Sequence, residues 1–286
     1  GSISGTFSKK PLDYEGAVTA MLGHKMTDVD VKIAKKGEEI LKLDNLALSD
    51  QSIGINLSVY KSEVVAITGL LGSGKTELAS ILFGVKRPAS GTIYLNKKLF
   101  SPNNPREAIK KGVYMSPKDR ASNAVIGDFD IERNLTLPFL GSYAWLSMLR
   151  FKFLRKLARN KIEEMGVICQ SENDEIETLS GGNQQKVVVG RWLMEPCSLL
   201  VLDEPFQGVD IKARRDIGTY IRKTSNIRAT IVLVAELDEA LEIADRILVM
   251  NEKSLVGEHV NDNVNINKLL GDIAGKNLMP EQISRQ

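Results

Sequence analysis

An α/β architecture around a mostly parallel sheet follows from three features of this sequence. Val64–Thr68 is a short, continuously apolar run that reads as a strand buried on both faces, and Leu199–Leu202 and Thr230–Val234 read as further strands. Segments with apolar residues at helical spacing alternate with them, the pattern of repeated strand–helix units. A glycine-rich stretch, Gly69–Thr76, joins one such strand to one such helix.

Taken in order, Gly1–Lys10 is rich in Gly, Ser and Lys and reads as disordered or as an expression remnant. Leu12–Gly23 has Ala17, Met21 and Leu22 at helical spacing, with Gly23 as a stop. Strands begin after Val29: Ile40, Leu41, Leu43, Leu46 and Leu48 predict one, Ile55–Val59 a second and Val64–Thr68 a third. Leu78, Ile81 and Leu82 mark one face of the next helix, which Gly84 stops. After the strand Val113–Met115, the segment from Pro117 to about Glu177 reads as a mostly helical insertion. Its stretch Trp145–Met165 carries Lys152, Arg155, Lys156, Arg159 and Lys161, read as a solvated helix face. A long helix follows Ser180, then the strand Leu199–Leu202, a helix over Ala213–Lys223 and the strand Thr230–Val234. A helix at Leu237–Ala244, a strand at Arg246–Met250 and a hairpin close the pattern. Asn265–Gly275 repeats the plan of Leu12–Gly23: a polar start, a short apolar-periodic helix and a glycine. The echo is either coincidence or the mark of a repeated domain.

Composition narrows the function classes. The 286 residues are 43% hydrophobic and 26% charged, as in a soluble globular protein. A formal net charge of +2 gives no electrostatic reason to expect nucleic acid. No apolar run approaches the roughly 18–20 residues that span a bilayer, and no export leader is expected. Cys169 and Cys197 form no CxxC pair, so plain packing in a reduced setting is expected of both. His24 and His259 are the only histidines, read as lying in polar, loop-like contexts and too few for a metal site.

Three motifs carry chemistry. Gly69-Leu70-Leu71-Gly72-Ser73-Gly74-Lys75-Thr76 fits GxxxxGK[ST] between a buried strand and a helix. Its glycines let successive N–H groups point inward around phosphate oxygens, and the helix N-terminus adds its dipole. Lys75 is placed to reach the β- and γ-phosphates, and the Thr76 hydroxyl to bind Mg²⁺. The strand Ser198–Leu202 ends in Asp203 and Glu204, at the edge where open parallel sheets bind ligands. There Asp203 is expected to hold Mg²⁺ through water and Glu204 to polarise the attacking water. In Leu179-Ser180-Gly181-Gly182-Asn183-Gln184-Gln185-Lys186, Ser180 and the N–H groups of Gly181 and Gly182 offer a second anion-binding helix start.

With that segment lying between phosphate loop and acidic strand, the sequence resembles the ABC ATPases over roughly residues 38–260. The resemblance implies a P-loop fold with a mostly parallel core sheet, an antiparallel β subdomain and a helical subdomain. More narrowly, LSGGNQQK followed by Val187–Leu193 is similar to the second nucleotide-binding domain of tandem ATPases from bacterial sugar importers of the ribose, galactose and xylose type. Ala17–Met26 resembles the end of the first domain. Residues 1–27 are then an expression remnant and the tail of a preceding domain, 28–275 the nucleotide-binding domain with its helical subdomain at about 118–186, and 276–286 a C-terminal tail. The implied ligands are ATP and Mg²⁺. The implied partners are a first nucleotide-binding domain, transmembrane permease subunits and, indirectly, a periplasmic or extracellular binding protein, with no nucleic acid. The implied location is cytoplasmic, peripheral on the inner face of the cell membrane. In this family two domains pair head to tail, so the resemblance implies that Ser180, Gly181 and Gly182 would touch ATP held by the partner, and that Gly208-Val209-Asp210 would face the partner too.

Three positions depart from the family pattern. Glu236 stands where a switch histidine follows the strand Thr230–Val234, and an ionised carboxylate repels a γ-phosphate. Ser116-Pro117-Lys118-Asp119-Arg120 stands where a glutamine is expected after Val113–Met115. Asn45–Asp50 holds no aromatic residue to stack on adenine, and Tyr60 is too close to the phosphate loop to be its obvious equivalent. Slow hydrolysis by this domain alone is the expectation. The alternatives are a nucleoside or autoinducer importer ATPase, a soluble ABC ATPase without transport, and a P-loop enzyme of another class.

Overall fold

A computed structural model of the protein describes residues 37–145, 148–262 and 264–275. Leu12–Gly23, His24 and the two terminal segments assigned from the sequence, 1–27 and 276–286, lie outside the described residues.

The strands pair as the burial of their side chains requires. β2 (Ile55–Tyr60) alternates buried and solvated positions, and β1 (Glu39–Ala47) does so with irregularities at its bulges. With β4 (Ser90–Leu95) and β5 (Lys98–Leu99) they form a four-stranded antiparallel sheet in the order β2-β1-β4-β5. β3 (Val64–Thr68), β9 (Leu199–Asp203) and β10 (Ala229–Leu233) are buried at every position. They lie inside a six-stranded sheet ordered β12-β11-β3-β10-β9-β6, completed by β6 (Val113–Ser116), β11 (Arg246–Asn251) and β12 (Ser254–Val260). All its pairings are parallel except the β11–β12 hairpin. β3, β9 and β10 therefore need cover on both faces, and two apolar clusters supply it. One joins the sheet to the antiparallel layer and to α1 (Lys75–Leu82) through Leu78, Ile81 and Leu82. The other packs Ile217 and Ile221 of α7 (Ile211–Lys223) and Ala240, Leu241 and Ile243 of α8 (Leu237–Ile243) on the opposite face. The expected architecture is thus present.

Between β6 and β9 the chain is mostly helical, as its periodicity predicts. α3 (Ile131–Thr136), α5 (Phe151–Met165) and α6 (Gly181–Arg191) share a small core of Ile131, Leu135, Ala158, Ile176, Leu179 and Val187. The short α4 (Leu140–Tyr143) lies between α3 and α5, while α2 (Pro105–Lys110) precedes β6. The start of the basic stretch differs from the reading of a mostly helical segment. Ala144–Trp145 (β7) and Met148–Leu149 (β8) form a two-stranded ribbon, and the helix begins only at Phe151. The apolar spacing that buries a helix face starts at Leu154 and Ala158, so nothing draws the preceding residues into it.

The basic face of α5 is only partly free. Arg159 donates both Nε and Nη2 to Glu172 at 2.8 Å, and Lys161 meets Glu164 and Tyr220. His259 departs from its loop-like reading: it sits in β12, buried, 2.8 Å from Asp272 of α9 (Ile266–Ile273). A lone histidine in a short polar run gives no sign that a carboxylate will arrive from the following helix. Trp192 is buried against Phe83, Tyr114 and Phe139 and Cys197 is buried in the same cluster, as packing residues should be.

Candidate nucleotide-binding site

The glycine-rich loop leaves the C-terminal end of β3 and runs straight into α1. At Gly69 the backbone has φ +150°, and a Cβ there would stand 2.1 Å from the carbonyl oxygen of Met250, so the first position must be glycine. The β11–β12 turn pins the loop from outside, because the Lys253 N–H donates to the Ser73 carbonyl at 2.9 Å. Lys75 folds back across the loop and donates Nζ to the Gly69 carbonyl at 2.6 Å. Burial holds the Lys75 ammonium below its ordinary range. Glu204 works against that, the Lys118 charge reinforces it, and Asp203 opposes it less strongly. Leu70 and Leu71 face outward, with Leu71 94% exposed.

Two strands along the same sheet edge, β9 delivers its carboxylates. Asp203 is buried, and neither of its oxygens has a hydrogen-bond partner of normal geometry among the described residues. Burial raises its carboxyl above the usual range; the Thr76 hydroxyl pulls it down and Glu204 pushes it up, ahead of weaker effects from Lys118 and Lys75. Glu204 adopts φ +48°, a left-handed conformation that costs a non-glycine residue on the order of 1–3 kcal/mol. Its backbone N–H is held by the Leu233 carbonyl at 2.9 Å, and its Oε1 accepts from Lys118 Nζ at 2.8 Å. Sequence reasoning missed Lys118 as a member of the site. The available signal was a cation just after a strand that ends at the ligand-binding edge of the sheet.

These residues wall a cleft of about 730 Å³ lined by Thr68–Leu71, Lys75, Lys118, Glu204, Ala235–Asp238 and two residues of α9, Leu270 and Ile273. Gly72–Thr76 line an adjoining cavity that shares Lys75, Lys118 and Glu204. Glu236 stands in the cleft wall, exposed, just before α8, where its N–H meets the Glu239 carboxylate at 3.5 Å. Leu48 lies beside Gly74, its Cδ1 3.3 Å from where a Cβ would be. Tyr60 closes β2 before the turn into β3, at the other end of that strand from the loop.

Ser180, Gly181 and Gly182 do not line either cavity. They open α6, where Ser180 makes no side-chain cap and instead accepts from Asn183 Nδ2 at 3.1 Å. A Cβ on Gly182 would come 2.8 Å from Ala213 Cβ, so the start of α6 packs directly on α7. The Arg120 guanidinium lies beside Gly181, 3.0 Å from an added Cβ, and the Gly208 carbonyl 3.5 Å away. Gly208–Asp210 thus adjoins this segment, with Asp210 capping α7 through the Ala213 N–H at 2.8 Å.

A phosphate-shaped loop at the end of a parallel strand, beside buried carboxylates, defines a P-loop nucleotide-binding protein. Residues 53–207 match the ABC transporter family, and the chain belongs to it. It is 31% identical over 280 residues to the ribose import ATP-binding protein RbsA of Clostridium tetani, covering 94% of this chain and 54% of that protein. It is 32% identical over 250 residues to the arabinose import ATP-binding protein AraG of Vibrio parahaemolyticus, covering 86% and 49%. The chain therefore spans about half the length of the curated relatives it matches. Among solved structures, MJ1267, an ATP-binding cassette of an ABC transporter, superposes with a TM-score of 0.71 at 22% identity, covering 85% of this chain and 100% of that one, and so shares the fold.

Proposed function

We propose that this chain is one nucleotide-binding half of an ATPase that energises import of a sugar or related small molecule through a membrane permease. The observation that carries it is the convergence of Gly69–Thr76, the buried Asp203 carboxylate and Glu204 on one sheet edge. ATP is the ligand that this loop and its following helix suit, with Lys75 on the β- and γ-phosphates. Mg²⁺ fits the residues present, since the two unpartnered Asp203 oxygens and the nearby Thr76 hydroxyl are hard donors. Bound there, the ion would neutralise phosphate charge. Glu204 is the group for polarising the attacking water.

Ser180, Gly181 and Gly182, standing apart from the chain's own cleft, are read as contacts to ATP held by a second nucleotide-binding domain. That the relatives are about twice as long supports a tandem arrangement with a preceding domain in the same polypeptide. Their names supply the substrate class, and a site on the cytoplasmic face of the membrane follows from the same reading. Among the described residues no helix is long and apolar enough to cross a membrane, so permease subunits would supply the path. Glu236, in the wall of the same cleft as Lys75, supports slow hydrolysis by this half alone.

The test is phosphate release by the chain alone and joined to its preceding domain, together with co-purification of a multispanning membrane protein. Slow release alone, accelerated on joining, is expected. Release by the isolated chain at the rate of an intact transporter would sink the half-site reading, and absence of the membrane partner would count against transport.

A further inference from the structure

We infer that Lys118 reads the terminal phosphate of the nucleotide: it holds Glu204 before ATP enters and shifts to the γ-phosphate once ATP is bound. The inference rests on the nucleotide pocket proposed above and adds a residue that the phosphate-loop pattern does not contain.

Lys118 follows β6, whose last residue, Ser116, pairs in register with Leu202 of β9. The loop after β6 therefore leaves the sheet at the same edge as Asp203 and Glu204. The two cavities around the phosphate loop both include Lys118 and Lys75 in their walls. Two ammonium groups thus line the same space, one from the start of α1 and one from the loop after β6.

The pairing of Lys118 is asymmetric. Its Nζ stands 2.8 Å from Glu204 Oε1, with the lysine side chain 33% exposed and the glutamate side chain 9% exposed. Glu204 is fixed by its backbone bond to Leu233 and by its left-handed conformation. Lys118 is the mobile partner, on a flexible four-carbon stem with three rotatable donors. A γ-phosphate brings more acceptor oxygens and more charge than one carboxylate, so the ammonium gains by moving toward it. Its departure frees Glu204 Oε1 to accept a hydrogen bond from a water in the cleft. One side chain then couples recognition of ATP to the readiness of Glu204. ADP, lacking the γ-phosphate, leaves the pair closed.

The experiment measures ATP and ADP affinity by titration calorimetry for the wild-type chain and for Lys118→Met, Lys118→Gln and Lys118→Arg. A charge-assisted contact to the γ-phosphate implies that Met and Gln weaken ATP by about tenfold or more, while ADP stays within about twofold and certifies the fold. Arg restores most of the preference. Lys118 could also act only by neutralising Glu204, so the same substitutions are made in the Glu204→Gln background. Loss of ATP preference there as well supports direct contact. An unchanged ATP-to-ADP ratio in that background, or equal weakening of both nucleotides, overturns the inference. Lys75→Met separates the two levels: if it leaves both affinities intact, the pocket reading itself has failed.

Discussion

Replacing Lys75 by Met tests the phosphate loop through two effects of opposite sign. The ammonium is buried, and burial holds it below its ordinary range, so the charged form is disfavoured in the folded chain. A lysine whose folded pKa is depressed costs stability at neutral pH, a cost relieved only as pH rises toward its unfolded value. Met keeps the apolar stem and removes that cost, so the nucleotide-free variant should melt no lower than wild type. Nucleotide binding should go the other way. Nζ reaches the Gly69 carbonyl at 2.6 Å, which places its charge inside the loop. A phosphate oxygen about 4 Å away at an effective dielectric of about 20 gains roughly 4 kcal/mol, or about a thousandfold in affinity. At ATP about a hundred times the wild-type Kd, ligand stabilisation of roughly 2.7 kcal/mol would fall below about 0.1 kcal/mol. Thermal melts with and without ATP read both effects. Wild type should shift by roughly 5–10 °C, and the variant should not. An undiminished ATP shift would refute the phosphate-loop assignment, and a lower nucleotide-free melting temperature would refute the burial argument.

Glu204→Gln should keep ATP binding while stopping phosphate release, measured by calorimetry and a phosphate assay; loss of binding would remove Glu204 from its proposed role. Gly182→Ala puts a Cβ 2.8 Å from Ala213 Cβ and 3.3 Å from Asp210 Oδ2, and should cost about 1–3 kcal/mol in a denaturant melt. Gly218→Ala, where a Cβ meets nothing within 4 Å, should instead stabilise α7 by up to about 1 kcal/mol; equal costs at the two sites would contradict the packing described at α6. Burial pushes the Glu239 carboxyl up to about 7, against its bond from the Glu236 N–H, with Glu236 and Asp238 adding to the rise. Because the folded pKa is raised, ionising Glu239 costs stability progressively as pH climbs from about 4.5 to about 7. Glu239→Gln should therefore stabilise the chain more at pH 8 than at pH 5, and a pH-independent effect on the melting temperature would exclude this account.

What the sequence determined by itself was the local chemistry. Val64–Ile67 is apolar at every position because both faces of β3 are covered, and such a run can be recognised without knowing what covers it. The glycines, Lys75 and Thr76 sit in one continuous stretch, so their spacing was legible, as was the pair Asp203–Glu204 at a strand end. Contacts between distant segments were not. Lys118 meets Glu204 across 86 positions, and a single cation after a strand has no period to betray its partner. The Lys253 N–H buttresses Ser73 only because a hairpin turn is carried over the loop, and a backbone donor has no residue signature at all. α9 was readable as a helix, but its place in the cleft wall through Leu270 and Ile273 depends on how the β11–β12 hairpin and the central sheet bring it back. Periodicity records which face of an element is buried; which elements supply the burial, and which charges meet there, is decided by the packing of the whole chain.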